Sequence, residues 1–393
     1  MGHVLWYGKN MRLLHVIRSL NPVFGGPTDS VRMFVAAHQR IGNGVEVATL
    51  DDPAADFSQL PGSQVHAFGP TKPKYHYEPK LESWLRENCQ RFDGVIVNGI
   101  WQYHTLAARR AVAGRRPYVV FAHGMLDPYF MRRFPLKHLK KLLYWVFWEG
   151  KNLELAEAVC FTSQEEMQVA AKGFPFHHRL KRVVVPYGTI GPNGDPETLK
   201  QAFRAICPGL DGRRYLLFLG RLNPKKGCDL LLDAYAKTLP DDLDLVIAGP
   251  DEVGWEPELR AQAEHLGIED RVHWTRTVRG DAKWGAFYGA EAFILPSHQE
   301  NFGIAVADAL ACGTIPLISN KVNIARDVEA DAAAIVETDT CEGTTRLIER
   351  FLALSTAERD TMRRKARLCY EHRYALKNAA QEVYKALGLP SDS

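Results

Sequence analysis

The segment 296–316, PSHQENFGIAVADALACGTIP, sets Glu300 in a turn between an apolar run and a helical pattern, with Asp308 eight positions on. Eight residues are a little over two helical turns, so the two carboxylates share a face. The backbone N–H groups of Asn301, Phe302 and Gly303 have no partner inside a helix that starts there, and they can hold an anion or a sugar oxygen. The same spelling also fits a carboxylate offsetting a helix dipole beside a solvated Asp. A second group lies upstream in residues 219–227, LGRLNPKKG, where Arg221 directly follows an apolar run, Lys226 comes five residues later and Gly227 closes the loop. A guanidinium grips two oxygens and an ammonium acts as a point charge, so this pair suits a diphosphate. A solvated turn rich in Lys and Pro is the competing reading. In residues 22–30, PVFGGPTDS, Gly25 and Gly26 let the backbone approach a ligand just before a helix. A Gly-Gly pair alone is only a turn signal, and its weight comes from company. His123, in Ala122-His123-Gly124, follows another apolar run.

Residues of this kind need strand ends to stand on. β-rich runs at 12–17, 45–50, 64–68, 94–98, 118–122, 158–162 and 182–186 alternate with helical patterns such as 28–41 and 104–113. After a Pro/Gly-rich stretch at 186–195, a second series runs through 215–219, 243–248, 272–274, 292–295, 315–318 and 333–336. Alternation of this type predicts an α/β chain with two parallel sheets. Two doubly wound domains facing each other place ligands at the carboxyl ends of their strands, so a central cleft is the expected site. The tail 357–387 reads as helix with a break near Tyr374.

At 393 residues the chain exceeds one ordinary core, and its 46% hydrophobic and 24% charged content excludes disordered and multispanning classes. A net charge of +3 gives no basic excess for nucleic acid. Seven scattered cysteines without a CxxC pair point to reduced thiols, and charges break up the first twenty residues, which carry no signal-peptide core; a cytoplasmic location is expected. Asp242-Leu243-Asp244 has the DxD spelling of a metal site, but it lies at the start of a strand, opposite the expected cleft. No metal or other cofactor is expected.

Taken together, Gly25 and Gly26, Ala122-His123-Gly124, Arg221 with Lys226, and Glu300-Asn301-Phe302-Gly303 resemble the retaining glycosyltransferases of the GT-B fold, family four, also called glycosyl transferases group one. The resemblance covers nearly the whole chain. The family usually has Glu at both ends of its ExxxxxxxE motif, and here the second is Asp308. The resemblance implies an acceptor domain over 1–190, a donor domain over 191–370, and a final helix, 371–393, crossing back to the first. It implies transfer of a hexose from GDP-mannose or a UDP-hexose to a hydroxyl of a glycan or lipid-linked acceptor in surface polysaccharide assembly. Arg221 and Lys226 would hold the donor diphosphate, Glu300 to Gly303 the sugar hydroxyls, Asp308 the ribose, and Gly25 and Gly26 would let the first domain close on donor or acceptor. His123 would lie by the transferring sugar, giving His123, Glu300, Arg221 and Lys226 as the catalytic set. A sugar-nucleotide epimerase, a pyridoxal-dependent phosphorylase and a non-enzymatic bilobed sugar-binding protein are the competing expectations.

From Pro128 to Trp148 there is no acidic residue, while Arg132, Arg133, Lys137, Lys140 and Lys141 are interleaved with aromatics. Helical spacing puts Leu139, Leu143 and Val146 on one stripe and Lys137, Lys140, Lys141 and Tyr144 on another. Contact with an anionic membrane or lipid-linked acceptor is one reading, and an ordinary helix with its apolar stripe on the core is the other.

Overall fold

Strands buried on both faces need apolar side chains at every position, and the runs of Val, Ile, Leu and Phe in this chain provide them. The structure, a computed structural model, describes residues 11–72, 74–128, 135–175, 177–239 and 241–390. Among these, β1 (Arg12–Ile17), β2 (Gly44–Thr49), β3 (Gln64–Ala67), β4 (Gly94–Asn98), β5 (Tyr118–Phe121), β6 (Ala158–Phe161) and β7 (Arg182–Val184) form one parallel sheet in the order 3-2-1-4-5-6-7. A second parallel sheet takes β8 (Arg214–Leu219), β9 (Leu243–Ala248), β10 (Val272–Thr275), β11 (Ala292–Leu295), β12 (Ile315–Ser319) and β13 (Ile335–Glu337) in the order 10-9-8-11-12-13. Each expected strand is present within one or two residues. Both orders reverse direction once, between β1 and β4 and between β8 and β11, which is the doubly wound arrangement.

The chain divides into two compact units, with Thr189–Ala375 forming the second and everything before it, together with the segment from Leu376, forming the first. Within the first unit, α1 (Gly26–Arg40) packs with the helix Leu376–Ala386 on one face of the sheet. Tyr384 Oη meets His38 Nδ1 and accepts from Asn43 Nδ2, each at 2.6 Å. On the other face α2 (Pro79–Asn88) and α3 (Tyr103–Val112) cover a core built on Leu14, Val16, Val95 and Val97. The tail is helical over Thr356–Cys369, opened by a capping box between Ser355 and Glu358, and is interrupted by a π-helical turn at Tyr370–Tyr374.

Candidate active site

In the second unit the reversal point brings the carboxyl ends of β8 and β11 together. The loop after β8 is tied to the segment after β11 by its backbone: His298 N donates to Lys225 O at 2.8 Å. Gly227 has φ +68°, and a Cβ there would lie 2.5 Å from the Pro296 carbonyl, so only glycine allows this approach. Asn223 caps the Pro224–Lys226 turn by accepting from Lys225 N. These ties set Lys226 against Glu300, and Lys226 Nζ hydrogen-bonds Glu300 Oε2 with both side chains mostly buried. Glu300 is itself pinned to the 321–323 segment, its N–H on Lys321 O and its carbonyl accepting from Asn323 N.

Arg221 is placed differently. It sits on the same loop, but its guanidinium pairs with Glu252 at 3.0 Å and remains half exposed. Phe302 is buried, with its ring edge on Tyr374, so its side chain belongs to the core. Gly303, at φ +88°, opens the helix Ile304–Cys312 with no side-chain cap. Asp308, one turn into that helix, is only 2% exposed, and both its oxygens are taken: Lys283 Nζ lies 2.6 Å from Oδ2, and Thr189 Oγ1 donates to Oδ1 at 2.6 Å. It therefore acts as an anchor within the unit. Asp242 pairs with Arg214, and Asp244, at the start of β9, with Arg213, Arg271 and His273. Among the described residues no group of three or more His, Cys, Asp or Glu is placed to hold a metal ion.

In the first unit Gly25 has φ +66° and caps α1, and Gly26 has nothing within 4 Å of where a Cβ would lie. His123, just past β5, holds a left-handed φ of +49°, rare for a residue with a Cβ. Its Nδ1 meets Tyr187 Oη and its Nε2 lies 3.4 Å from Asn98 Oδ1. Burial pulls the imidazole down to about 3, so it is neutral. The following turn is fixed by Glu166, which accepts from Gly124 N at 2.6 Å and from Thr162 N at 2.6 Å. Tyr187, Asn98, Glu166, Lys283 and Glu252 escaped the sequence reading. Asn98 alone left a trace there, as a polar residue ending an apolar strand.

The basic segment turns its apolar stripe outward, against the reading that seated it on the core. Arg132 and Arg133 lie outside the described residues, as does the side chain of Lys137. In the helix Pro135–Tyr144 and the π-helical turn Trp145–Glu149, Leu139, Leu143, Val146 and Phe147 are each more than half exposed, so the apolar stripe does not face the core. Trp145 and Glu149 point inward instead, and the wider π turn leaves the three residues between them outside. Lys140 is exposed. Lys141 is turned back, with Nζ 4.7 Å from the Trp101 ring centre, and burial lowers its pKa. No described helix is long and apolar enough to cross a membrane.

Residues 187–368 match the family model of glycosyl transferases group 1, and residues 25–188 match that of the glycosyl transferase 4-like domain. The chain is 26% identical, over 398 residues, to a GDP-mannose:cellobiosyl-diphosphopolyprenol alpha-mannosyltransferase of Xanthomonas campestris, covering 97% of this chain and 98% of that one. A protein of the same name from Komagataeibacter xylinus is 25% identical over 84% of this chain and 80% of its own. The crystal structure of Anabaena HepE in complex with UDP and glucose superposes with a TM-score of 0.72 at 19% identity, over 96% of this chain and 99% of that one.

Proposed function

This chain belongs to the group 1 glycosyltransferases and has their two-domain α/β fold, and from that premise we propose that it moves mannose from GDP-mannose to a hydroxyl of a lipid-linked glycan, with retention at the anomeric carbon. A UDP-hexose is the second choice of donor. The preference for GDP-mannose rests on the relatives that span most of the chain. The observation that carries the reading is the Lys226–Glu300 pair at the reversal point of the second sheet.

A diphosphate arriving there offers Lys226 a stronger anion than a carboxylate and releases Glu300 to accept from the sugar hydroxyls. Arg221 exchanges Glu252 for a second phosphate oxygen, a bidentate grip that an ammonium cannot make. The N–H groups at the start of the helix Ile304–Cys312 add a positive end. As the bond from the anomeric carbon to the phosphate oxygen breaks, negative charge grows on that phosphate, and these preplaced cations stabilise it. The acceptor hydroxyl oxygen bonds to the same carbon from the same face, and its proton passes to the departing phosphate. No protein nucleophile takes part, and the protein's cations do the work a divalent metal does elsewhere. Because its ring is neutral and both nitrogens are engaged, His123 keeps its single ring proton, shapes the wall beside the transferring sugar and takes no part in proton transfer. Asp308 supports the ribose side from its anchored position.

We assign the enzyme to surface polysaccharide assembly at the inner face of the cytoplasmic membrane. The outward Leu139, Leu143, Val146 and Phe147, beside exposed Lys140, suit peripheral insertion among anionic headgroups. Thermal unfolding with GDP, UDP, GDP-mannose and UDP-glucose tests the donor: GDP and GDP-mannose raise the midpoint by mass action. Stabilisation by the uridine compounds alone replaces the donor, and an inverted anomer in the product removes retention.

A further inference from the structure

The reversal point of the first sheet holds a cation that the donor site does not use. Arg18 directly follows β1, beside β4, whose end continues into Gly99 and Trp101. Among the described residues its guanidinium has no hydrogen-bonded or ion-paired partner, although it is half-buried; its Cζ lies 3.7 Å from the Phe24 ring centre. Burial strips hydration from the charge and lowers its pKa, and the nearby Asp51 offsets only part of this. Asp51 is already committed, accepting from Ser19 Oγ at 2.5 Å, Leu20 N at 2.6 Å and Thr49 Oγ1 at 2.7 Å. Those bonds hold the backbone that presents Arg18.

The neighbouring imidazoles bring no negative charge, and the start of α3 adds a positive end. His76 and His104 both feel the Arg18 charge, and α3 begins beside them with no side-chain cap on its first turn. The loop carrying His76 is fixed by Thr71 Oγ1 on His76 Nδ1 at 2.8 Å and by Tyr103 N on Tyr75 O at 3.0 Å. Lys74, His76 and Trp101 all hold positive φ, at 80°, 56° and 76°, so the rim of this point is locally constrained. A guanidinium whose face rests on a ring keeps its in-plane N–H groups free for a forked contact with a tetrahedral anion.

We propose that Arg18, between Phe24 and His76 at the carboxyl ends of β1 and β4, binds a phosphate-ester anion carried by the acceptor, such as the diphosphate that joins a glycan to its lipid. Assigning the anion to the acceptor rests on the transfer reading above, but the binding itself does not. The test is calorimetric titration in a background carrying Lys226→Ala and Arg221→Ala, which removes both cations of the donor diphosphate site. The probes are inorganic pyrophosphate, farnesyl diphosphate, farnesol and glucuronate. Arg18→Ala weakens both diphosphate probes at least tenfold, Arg18→Lys recovers part of the loss, and farnesol is unaffected by either change. Circular dichroism and thermal melts check the fold, and Arg18→Lys carries the comparison if the alanine variant unfolds.

Equal diphosphate binding with and without Arg18 overturns the site, and tighter binding of glucuronate than of pyrophosphate overturns its chemical class. Arg18-dependent binding of pyrophosphate but not of farnesyl diphosphate overturns the assignment to a lipid-borne acceptor. If nucleotides fail to bind the wild type while the Arg18 dependence holds, the transfer reading falls and the anion site stands.

Discussion

The two sheets end in different electrostatic states. At the carboxyl end of the second, cations already meet acids: Lys226 on Glu300, Arg221 on Glu252 and Lys283 on Asp308. The corresponding end of the first is lined by imidazoles that burial keeps neutral, with Arg18 left without a paired acid among the described residues. A paired cation can take a phosphate only by exchanging one anion for another, which releases the displaced carboxylate for a second task. An unpaired one has no such exchange to make and gains in full from whatever anion arrives. The second unit is thus suited to a ligand that must be gripped and let go at each turnover, and the first to one that is held by position.

The largest effect expected from this contrast is on turnover. Lys226→Ala lowers donor turnover on the order of a hundredfold or more, as loss of a preplaced charge at a developing oxyanion does; Arg221→Ala, removing a half-exposed side chain, costs less in the same steady-state assay. Near-normal transfer by both variants removes the paired cations from the mechanism. Next comes stability. Asp308→Ala leaves Lys283 and Thr189 without their shared acceptor and destabilises the second unit by about 3 kcal/mol, as breaking a buried ion pair does. Urea unfolding measures this, and a loss within experimental error would return Asp308 to the ligand.

Acid separates the two units. His38 and His123 are pulled down to about 3 and His104 to about 4 by burial, and His15 well below its ordinary value. Below pH 6.5 the unfolded chain takes up protons that these buried rings refuse, so stability falls with pH by up to about 1.4 kcal/mol per unit for each ring. Glu149, pushed up to about 7 by burial, has the opposite slope between 7 and 4.5, and Glu166, also raised by burial, acts in the same sense, so the two offset part of the four. In the second unit burial alone would raise Asp244 and Glu291, but bonds from His273, Arg271 and Arg213, and from Arg214 and Arg363, hold them below their ordinary values. Their contribution is present above those values and is lost only as pH falls through the lowered ones. Hydrogen exchange at pH 7 and pH 5 therefore shows protection lost first in the first unit; equal loss in both breaks the comparison.

The smallest effect is at the membrane. Leu143→Ser with Phe147→Ser reduces flotation with phosphatidylglycerol vesicles several-fold and leaves GDP binding unchanged, whereas Lys141→Ala changes flotation little because its ammonium faces Trp101. The reverse order would restore a purely electrostatic contact.

The strands and their two parallel sheets were legible because parallel strands are apolar throughout and their ends carry Gly and polar residues; the strand orders that fix the reversal points were not. Glu300 and Lys226 were legible for the same reason, each standing a few residues past a strand. What the spelling did not carry was competition among partners. Asp308 was legible as a carboxylate near the site, but not its bonds to Lys283 and Thr189, 25 and 119 residues away. Arg18 reads as a charge interrupting an apolar stretch, and its lack of an acid becomes apparent only when Asp51 is seen bonded elsewhere. For the amphipathic segment the spelling left two readings open, and only the exposure of Leu139, Leu143 and Val146 separates them; the π turn, which adds a residue to the repeat, was not legible at all.

The helix Leu376–Ala386 fills the first unit, with Tyr384 on His38 and Leu387 against Gly94. During synthesis, therefore, the portion made earliest emerges with a gap in its interior and waits through the whole of Thr189–Ala375 for the piece that fills it. A ribosome that stalls inside the second unit would leave a finished sheet with an open apolar flank, a substrate for chaperones or proteases, and adding the 376–390 peptide in trans should rescue it.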